Sequence, residues 1–318
     1  MIAKSIICLA IILRLLSLNS LADRFDGAMY KTESGQNISV NAASYSLPLP
    51  FISKNPTVDK FVERPSISAK HYLLADVDSN TVILKSNNKD RVPIASTTKI
   101  MTAIVALENY KLNDLVTVSN TAANQAGSDA FLSAGEQISV SELLYCLLVK
   151  SANDSAFALA EHMNSAESAG GTDTFVQQMN FKAKKLGMKD TNYQDPAGLD
   201  VTGYSTASDL YIVTKYAMQN AIFRKIVASK EYVAKSANGQ IYHQLENSNR
   251  LVNEYNYLGA IGVKTGYMPE SGHCLISAVK RDGHTLVGIV LNTYADSATA
   301  SADESKKMFD WGFQNIKW

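Results

Sequence analysis

The 318-residue chain is poor in cysteine, with three in all, and its charges cancel: 30 lysines and arginines against 30 aspartates and glutamates. The zero balance gives no electrostatic footprint for nucleic acid or an anionic membrane surface, so neither is expected as a partner. Two cysteines outside the N-terminal run, Cys146 and Cys274, cannot define a disulfide framework. Both lie in apolar stretches ("LLYCLLV" and "HCLISAV"), where free, buried thiols are expected. Several catalytic signatures are also missing. There is no G-x-S-x-G elbow, no H-E-x-x-H and no metal-like grouping of the five histidines, and "VKTG" at 263–266 lacks the glycine that a phosphate loop places before its lysine.

Only the N-terminus carries a long apolar run. Lys4 precedes "SIICLAIILRLLSL", and Ser20 and Ala22 supply the small residues of a cleavage site. Residues 1–22 therefore read as a secretory signal peptide, with Cys8 leaving in it and retention as an uncleaved anchor as the alternative. An exported protein is expected, in the periplasm or on the outer face of the cytoplasmic membrane. Residues 23–66 are polar, with Pro48, Pro50, Pro56 and Pro65 and no sustained period, and read as a linker.

A single domain is expected over 67–318. "HYLLADV" and "TVILKSN" flank "DSN" as a strand hairpin, and "CLISAVK" and "LVGIVLN" flank a two-residue turn at Asp282-Gly283. Between these ends, from about 113 to 225, the sequence reads as mostly helical. Residues 302–316 close the chain as a helix with Met308, Phe309, Gly312, Phe313 and Ile316 on one stripe. Strands from both ends and helices from the middle predict an α+β fold, with one antiparallel sheet, a helical lobe, and a crevice between them.

Three short patterns carry chemistry. In "PIASTTKI" (93–100), Ser96 and Lys99 stand one turn apart at the mouth of an apolar-periodic helix, whose N-terminus favours developing negative charge. A serine hydroxyl needs a base to become a nucleophile, and a buried lysine with a depressed pKa can be that base. S-x-x-K recurs at Ser86/Lys89, in a polar turn, and at Ser277/Lys280, in a strand whose i and i+3 side chains oppose each other. "KSAND" places Ser151 and Asn153 between two helices, either as a cap or as a hydroxyl and an amide facing the crevice. "GVKTGY" places Lys264, Thr265 and Gly266 on a strand, where the glycine lets another backbone lie close. Lys264 is expected to lower the pKa of Lys99 by its charge.

S-x-x-K, S-x-N and K-T-G in this order are the pattern of penicillin-recognising serine enzymes. The resemblance extends to "SAKHYLLADVDSNTVILKSNNKDRVPIASTTKIMTAIVALE", "DPAGLD", "YSTASDL" and "GVKTGYMPESGHCLISAVKRDG". From about residue 67 to 318 the chain resembles the low-molecular-mass penicillin-binding proteins, the D-alanyl-D-alanine carboxypeptidases of the S11 peptidase family. The resemblance implies a β-lactamase/DD-peptidase-like fold: a five-stranded antiparallel sheet flanked by helices, plus an all-helical lobe. It implies Ser96 as nucleophile, Lys99 as base, Ser151 as proton shuttle and Asn153 as a holder of the acyl side. Lys264 and Thr265 would bind the substrate's terminal carboxylate and stabilise Ser151, Gly266 would permit close approach, and the N–H groups of Ser96 and Tyr267 would form the oxyanion hole.

The implied substrates are peptidoglycan stem peptides ending in D-Ala-D-Ala, with β-lactams as inhibitors and no metal or cofactor. Two departures favour a D,D-endopeptidase as the alternative. The segment "NTYADSATASADESKK" lacks the arginine that many family carboxypeptidases place there, and no β-rich second domain or C-terminal amphipathic anchor is expected after the closing helix. A class A β-lactamase would need a further glutamate, and "KLGMKDTNYQDPAGLD" has none. A non-catalytic β-lactam sensor would need transmembrane helices that the sequence does not offer.

Overall fold

The computed structural model describes residues 28–31, 37–40, 55–163, 171–293 and 297–318. The expected signal peptide lies outside the described residues. The chain divides into two compact units, residues 1–54 and 55–318. In the first, β1 (Ala28–Lys31) pairs antiparallel with β2 (Asn37–Val40). The second begins at Asn55, earlier than the boundary expected at 67. Its first strand, β3 (Thr57–Val58), pairs with the last one, β13 (Ile316–Lys317), so residues read as linker are tied to the far end of the chain.

The second unit is built on a five-stranded antiparallel sheet in the order β10-β11-β12-β4-β5. β4 (His71–Asp76) and β5 (Thr81–Ser86) form the expected N-terminal hairpin. β10 (Ala260–Met268), β11 (Gly272–Arg281) and β12 (His284–Thr293) form the C-terminal meander. Arg281 pairs with His284, and Asp282 and Gly283 have φ of 48° and 85°. Both central residues of this turn are thus left-handed, as a two-residue hairpin between right-twisted strands requires.

Strand alternation divides the core in two. Leu74, Leu275, Val279, Leu286 and Val290 point to one face and pack against Met308 and Phe309 of the closing helix α8 (Ala300–Asn315). Leu73, Ala75, Ile276, Ala278, Val287 and Ile289 point to the other face and join the helical lobe. Period-2 placement of apolar side chains on both faces is the mark of a sheet covered on both sides.

Helix α1 (Lys99–Asn109) runs through the second of these cores. Ile100, Met101, Ala103, Ile104, Val105 and Ala106 are all buried, so the helix is apolar nearly all round rather than amphipathic. Burying each large side chain contributes about 1.5–3 kcal/mol, which fixes the helix and its first residue in place. Around it lie α2 (Asn120–Ala123), α3 (Val140–Tyr145), α4 (Asn153–His162), α5 (Asp173–Leu186), α6 (Ala207–Ala217) and α7 (Ala221–Val227). The lobe is less purely helical than expected. β6 (Leu115–Thr117) pairs with β7 (Gln137–Ser139), and a second hairpin forms from β8 (Glu231–Lys235) and β9 (Tyr242–Glu246).

Candidate active site

A cleft of about 470 Å³ opens between the lobe and β10. Ser96, Ser151, Asn153, Thr265, Gly266 and Tyr267 line it, together with Gly127, Ser128, Lys150, Ser248, Arg250 and His273. Among the described residues that line it there is no carboxylate. Of the expected site residues only Lys99 and Lys264 are missing from its wall, because both are fully buried behind it.

The turn that carries Ser96 is tied down at several points. Ser96 lies in a 3-10 turn, Ala95–Thr98, that runs directly into α1. Ala95 has φ of +46°, a left-handed conformation uncommon for a residue with a Cβ. Thr97 Oγ1 and N–H both donate to Ile94 O, at 2.7 and 3.2 Å, and close the turn. Thr97 and Thr98 are buried, and Thr98, at the N-cap of α1, makes no side-chain capping bond. Gly266 of β10 lies against this turn: a Cβ there would stand 3.1 Å from Ile94 O and 3.2 Å from Ser96 N. The strand reaches Ser96 because this residue has no side chain.

Lys99 Nζ donates to Ser96 Oγ at 2.8 Å, to Asn153 Oδ1 at 2.7 Å and to Ala197 O at 2.9 Å. Burial pushes its pKa down to about 7, and Asp195 and Asp154 oppose that fall by their charge. An amine with three fixed partners, one of them the serine, that titrates near neutrality meets the requirements of a general base.

Three of the groups that place Lys99 were not legible as functional in the sequence. The first is Asp195, whose carboxylate accepts four backbone N–H groups, those of Ala197, Gly198, Leu199 and Asp200, at 2.6–2.9 Å. It ties "DPAGLD" into a knot that presents Ala197 O to Lys99, and Thr102 Oγ1 holds the knot to α1 through Pro196 O at 2.5 Å. An aspartate followed by proline and glycine is a turn signal that could have located the knot, though not its target. The second is Gly198, with φ of +79°. A Cβ there would come within 2.0 Å of Ala95 O, so only glycine lets the knot rest on the turn that carries Ser96. The third is Asp154. Its carboxylate accepts the N–H groups of Ala130, Leu132 and Ser155 and so fixes the loop above the cleft; it does not cap α4, whose N-cap is Ala152.

The "KSAND" residues reach the cleft by an irregular path. Helix α3 widens into a π-turn, Cys146–Lys150, and Ser151 follows in the left-handed region with φ of 69°. π-turns of this kind recur at functional sites. Among the described residues Ser151 Oγ makes no hydrogen bond. Asn153 is less open to a ligand than expected, since its Oδ1 accepts Lys99 and its Nδ2 donates to Ala126 O at 2.6 Å. One amide N–H remains uncommitted.

On the opposite wall Lys264 Nζ donates to Thr265 O at 3.0 Å and lies 3.4 Å from Thr265 Oγ1. Burial lowers its pKa well below the usual lysine value, and the charge of Lys99 lowers it further. The expectation was that Lys264 would depress Lys99. The depression of Lys99 comes from burial, and it is the charge of Lys99 that helps to lower Lys264. Nor is Lys264 bonded to Ser151. Thr265 Oγ1 instead meets Ser248 Oγ at 2.6 Å, and Ser248 N donates to Val149 O at 3.0 Å, which ties β10 to the π-turn.

Arg250 is the residue that most changes the sequence reading. No arginine was found in the segment after β12, yet one lines the cleft from the turn after β9. This turn is braced by Asn247 Oδ1 and Asn249 Oδ1, which accept the N–H groups of Asn249 and Leu251. Arg250 pairs with Glu254, and its charge, after burial, holds the His273 pKa below the ordinary value. His273 in turn stacks on Tyr267 with ring centroids 4.4 Å apart.

The thiols are free and buried as expected. Burial raises Cys274 to about 11 and Cys146 well above its usual value, so neither supplies a thiolate at neutral pH. Among the described residues one group has metal-ligand character: Asp76, Asp78 and His284, which no sequence spacing brought together. It lies outside the cleft, and its carboxylates are committed: Asp76 to Ser79 and the Trp318 indole, Asp78 to Thr285 N. No described helix is long and apolar enough to cross a membrane.

With this geometry, similarity to known proteins is specific. Residues 58–295 match the family Peptidase S11, described as D-alanyl-D-alanine carboxypeptidase. The chain is 33% identical over 256 residues to the D-alanyl-D-alanine carboxypeptidase DacF of Bacillus subtilis, covering 78% of this chain and 63% of that protein. It is 35% identical over 254 residues to DacB2 of Mycobacterium tuberculosis, covering 78% and 84%. The crystal structure of the Streptomyces K15 DD-transpeptidase superposes with a TM-score of 0.73 at 34% identity, over 80% of this chain and 100% of that one. The chain thus spans just under two thirds of the length of the Bacillus relative. Its fold is the β-lactamase/DD-peptidase-like α+β fold expected from the motifs. Fold, motif order and sequence agree, and the chain belongs to the peptidase S11 family of D-alanyl-D-alanine carboxypeptidases.

Proposed function

We propose that this protein is a serine-type D-Ala-D-Ala carboxypeptidase that removes the terminal D-alanine from peptidoglycan stem peptides through an acyl-enzyme on Ser96. The observation that carries the reading is the 2.8 Å contact of Lys99 Nζ with Ser96 Oγ, made by a buried amine whose pKa is about 7. Once Lys99 has lost a proton, its lone pair accepts the hydroxyl proton as Ser96 Oγ attacks the carbonyl carbon between the two D-alanines. The oxyanion takes hydrogen bonds from the N–H groups of Ser96 and Tyr267, an arrangement in which a single donor is commonly worth about 3–4 kcal/mol. The proton passes through Ser151 to the departing amine, the C–N bond breaks, and D-alanine leaves. Water then attacks the ester with Lys99 again as base, and Ser96 recovers its proton.

Thr265, Ser248 and Arg250 bind the terminal carboxylate of the leaving D-alanine, with Lys264 behind them. The uncommitted N–H of Asn153 holds the acyl side. Asn153 also orients Lys99, as does the Asp195 knot. β-Lactams acylate the same serine and leave slowly, since the described residues of the cleft wall include no glutamate to activate water. Rapid turnover of a chromogenic cephalosporin would overturn that part. The protein is exported and acts on the cell wall.

The alternative is a D,D-endopeptidase that cuts cross-links, favoured by the absence of arginine after β12. Arg250 supports the carboxypeptidase, because a cation beside Thr265 suits a free terminal carboxylate. Incubation with purified pentapeptide monomers and cross-linked dimers, resolved by chromatography, separates them. Loss of one D-alanine from monomers is expected; conversion of dimers to monomers with intact pentapeptides would replace this reading by the endopeptidase.

A further inference from the structure

Among the described residues, the charge on the cleft wall is one-sided: the charged lining residues are Lys150 and Arg250. Arg250 has a counter-charge in Glu254, and the two lysines behind the wall are bonded to Ser96, Asn153, Ala197 and Thr265. Lys150 alone has no such commitment: among the described residues its ammonium makes neither an ion pair nor a hydrogen bond, and it is half-buried.

Its backbone, by contrast, is held on every side. Lys150 O accepts Ser128 Oγ at 2.9 Å, the preceding Val149 O accepts Ser248 N at 3.0 Å, and Ala152 N donates to Cys146 O at 3.1 Å. The residue ends the π-turn and precedes left-handed Ser151, and its neighbours on the wall include Gly127, Ser128 and Asn153. In the proposed reaction Asn153 holds the acyl side, and Ser128 joins Lys150 to it, since Ser128 O accepts Asn153 N at 2.7 Å; Arg250, Ser248 and Thr265 are the residues assigned there to the terminal carboxylate. A fixed, unpaired, partly desolvated cation beside a binding cleft gains by meeting an anion there.

We propose that Lys150 is a specificity-determining residue for the acyl side of the substrate. It recognises a free side-chain carboxylate on the residue preceding the D-Ala-D-Ala, so that stem peptides with an acidic residue there are preferred to those carrying an amide or an amine. The proposal rests on the reading of this cleft as an acyl-D-Ala-D-Ala site. It adds a second anion to that reading, distinct from the terminal carboxylate bound near Arg250.

The test compares kcat/KM for three acetylated tripeptides, X-D-Ala-D-Ala with X glutamate, glutamine or lysine. The wild-type protein is expected to prefer glutamate over glutamine by about 5- to 10-fold, the range of a charge-assisted contact at a partly open site, and to take lysine last. Lys150→Gln brings the glutamate-to-glutamine ratio towards one, Lys150→Glu inverts the order in favour of lysine, and Lys150→Arg keeps the wild-type order. Should the neutral variants fold poorly, the wild-type preference is expected to shrink as ionic strength rises. Equal rates for glutamate and glutamine in the wild type, or an unchanged ratio in Lys150→Glu, would overturn the proposal. If no peptide is hydrolysed, the carboxypeptidase reading fails separately. The same question is then put to Ser96 by comparing its acylation rates with benzylpenicillin and with carbenicillin, which carries a carboxylate on its acylamino side. A ratio that follows the Lys150 variants in the same sense supports the assignment, and one indifferent to them refutes it.

Discussion

Lys99 and Lys264 are both fully buried beside one reaction site, and the two walls of the cleft hold them differently. The helical wall gives Lys99 three acceptors and two carboxylates whose charge opposes desolvation, and its pKa falls to about 7. The strand wall gives Lys264 only Thr265, and adds the charge of Lys99 to the cost of burial. The first lysine is poised to exchange a proton at neutral pH. What separates the two beyond burial is the sign of the neighbouring charge: Asp195 and Asp154 hold the Lys99 pKa up, whereas Lys99 pushes that of Lys264 down, so the basicity of Lys99 is set by residues remote from it in sequence.

This contrast can be broken from either side, and the largest effect is expected at Lys99. Lys99→Ala should slow acylation of Ser96 by penicillin about 10³- to 10⁴-fold, the range for loss of a general base that activates a nucleophile, measured by stopped-flow or by labelled-penicillin uptake. Lys264→Met should cost less, about 10²-fold, as a loss of electrostatic stabilisation. It should also leave the ascending limb of the pH profile near 7, because burial, and not the charge of Lys264, comes first in lowering the Lys99 pKa. A limb displaced upward by a unit or more would contradict that order; a limb displaced downward would mean that Lys264 had been helping Lys99 to hold its proton.

The same comparison bears on stability. An unfolded chain holds a lysine proton up to the ordinary value near 10.5, whereas folded Lys99 releases it near 7. The unfolded state therefore binds more protons between these values, and stability is expected to rise with pH across that window. Lys99→Met should remove part of this slope and raise stability at pH 7 by about 1–4 kcal/mol, as replacement of a buried charge by an apolar side chain often does. Urea titrations of both proteins at pH 7 and 9 read both effects. The smallest change is expected at the rim: Arg250→Ala should raise KM for a D-Ala-terminated monomer about tenfold with kcat within a few-fold, since it touches only the leaving group's carboxylate.

Much of the site was readable before any coordinates. Ser96, Lys99, Ser151, Asn153, Lys264, Thr265, Gly266 and Tyr267 all come to the cleft or stand directly behind it, since three local patterns each carry their own geometry: one helical turn, one loop, one strand. The hairpins at 71–86 and 272–293 were equally legible from period-2 alternation and the Asp282-Gly283 turn. The parts that were not legible depend on contacts between distant residues. Asp195 reads as a turn former until its loop is seen to hand Ala197 O to Lys99. Arg250 reads as an ordinary surface charge until the turn braced by Asn247 and Asn249 brings it beside Ser248. The short strands β6 and β7, in a region that reads as helical, pair across 19 residues that include α2 and show no local period long enough to detect.

The central claim is that a buried lysine titrating near neutrality activates Ser96. The most direct test is the pH dependence of the second-order rate constant for acylation by a penicillin, from pH 5 to 10, with the adduct mapped to its peptide by mass spectrometry. The expected result is an adduct on the peptide carrying Ser96 and a rate that climbs with pH and levels off above an apparent pKa near 7. A rate that keeps climbing toward pH 10, as for a lysine with its ordinary pKa, or an adduct on any other residue, would contradict the account.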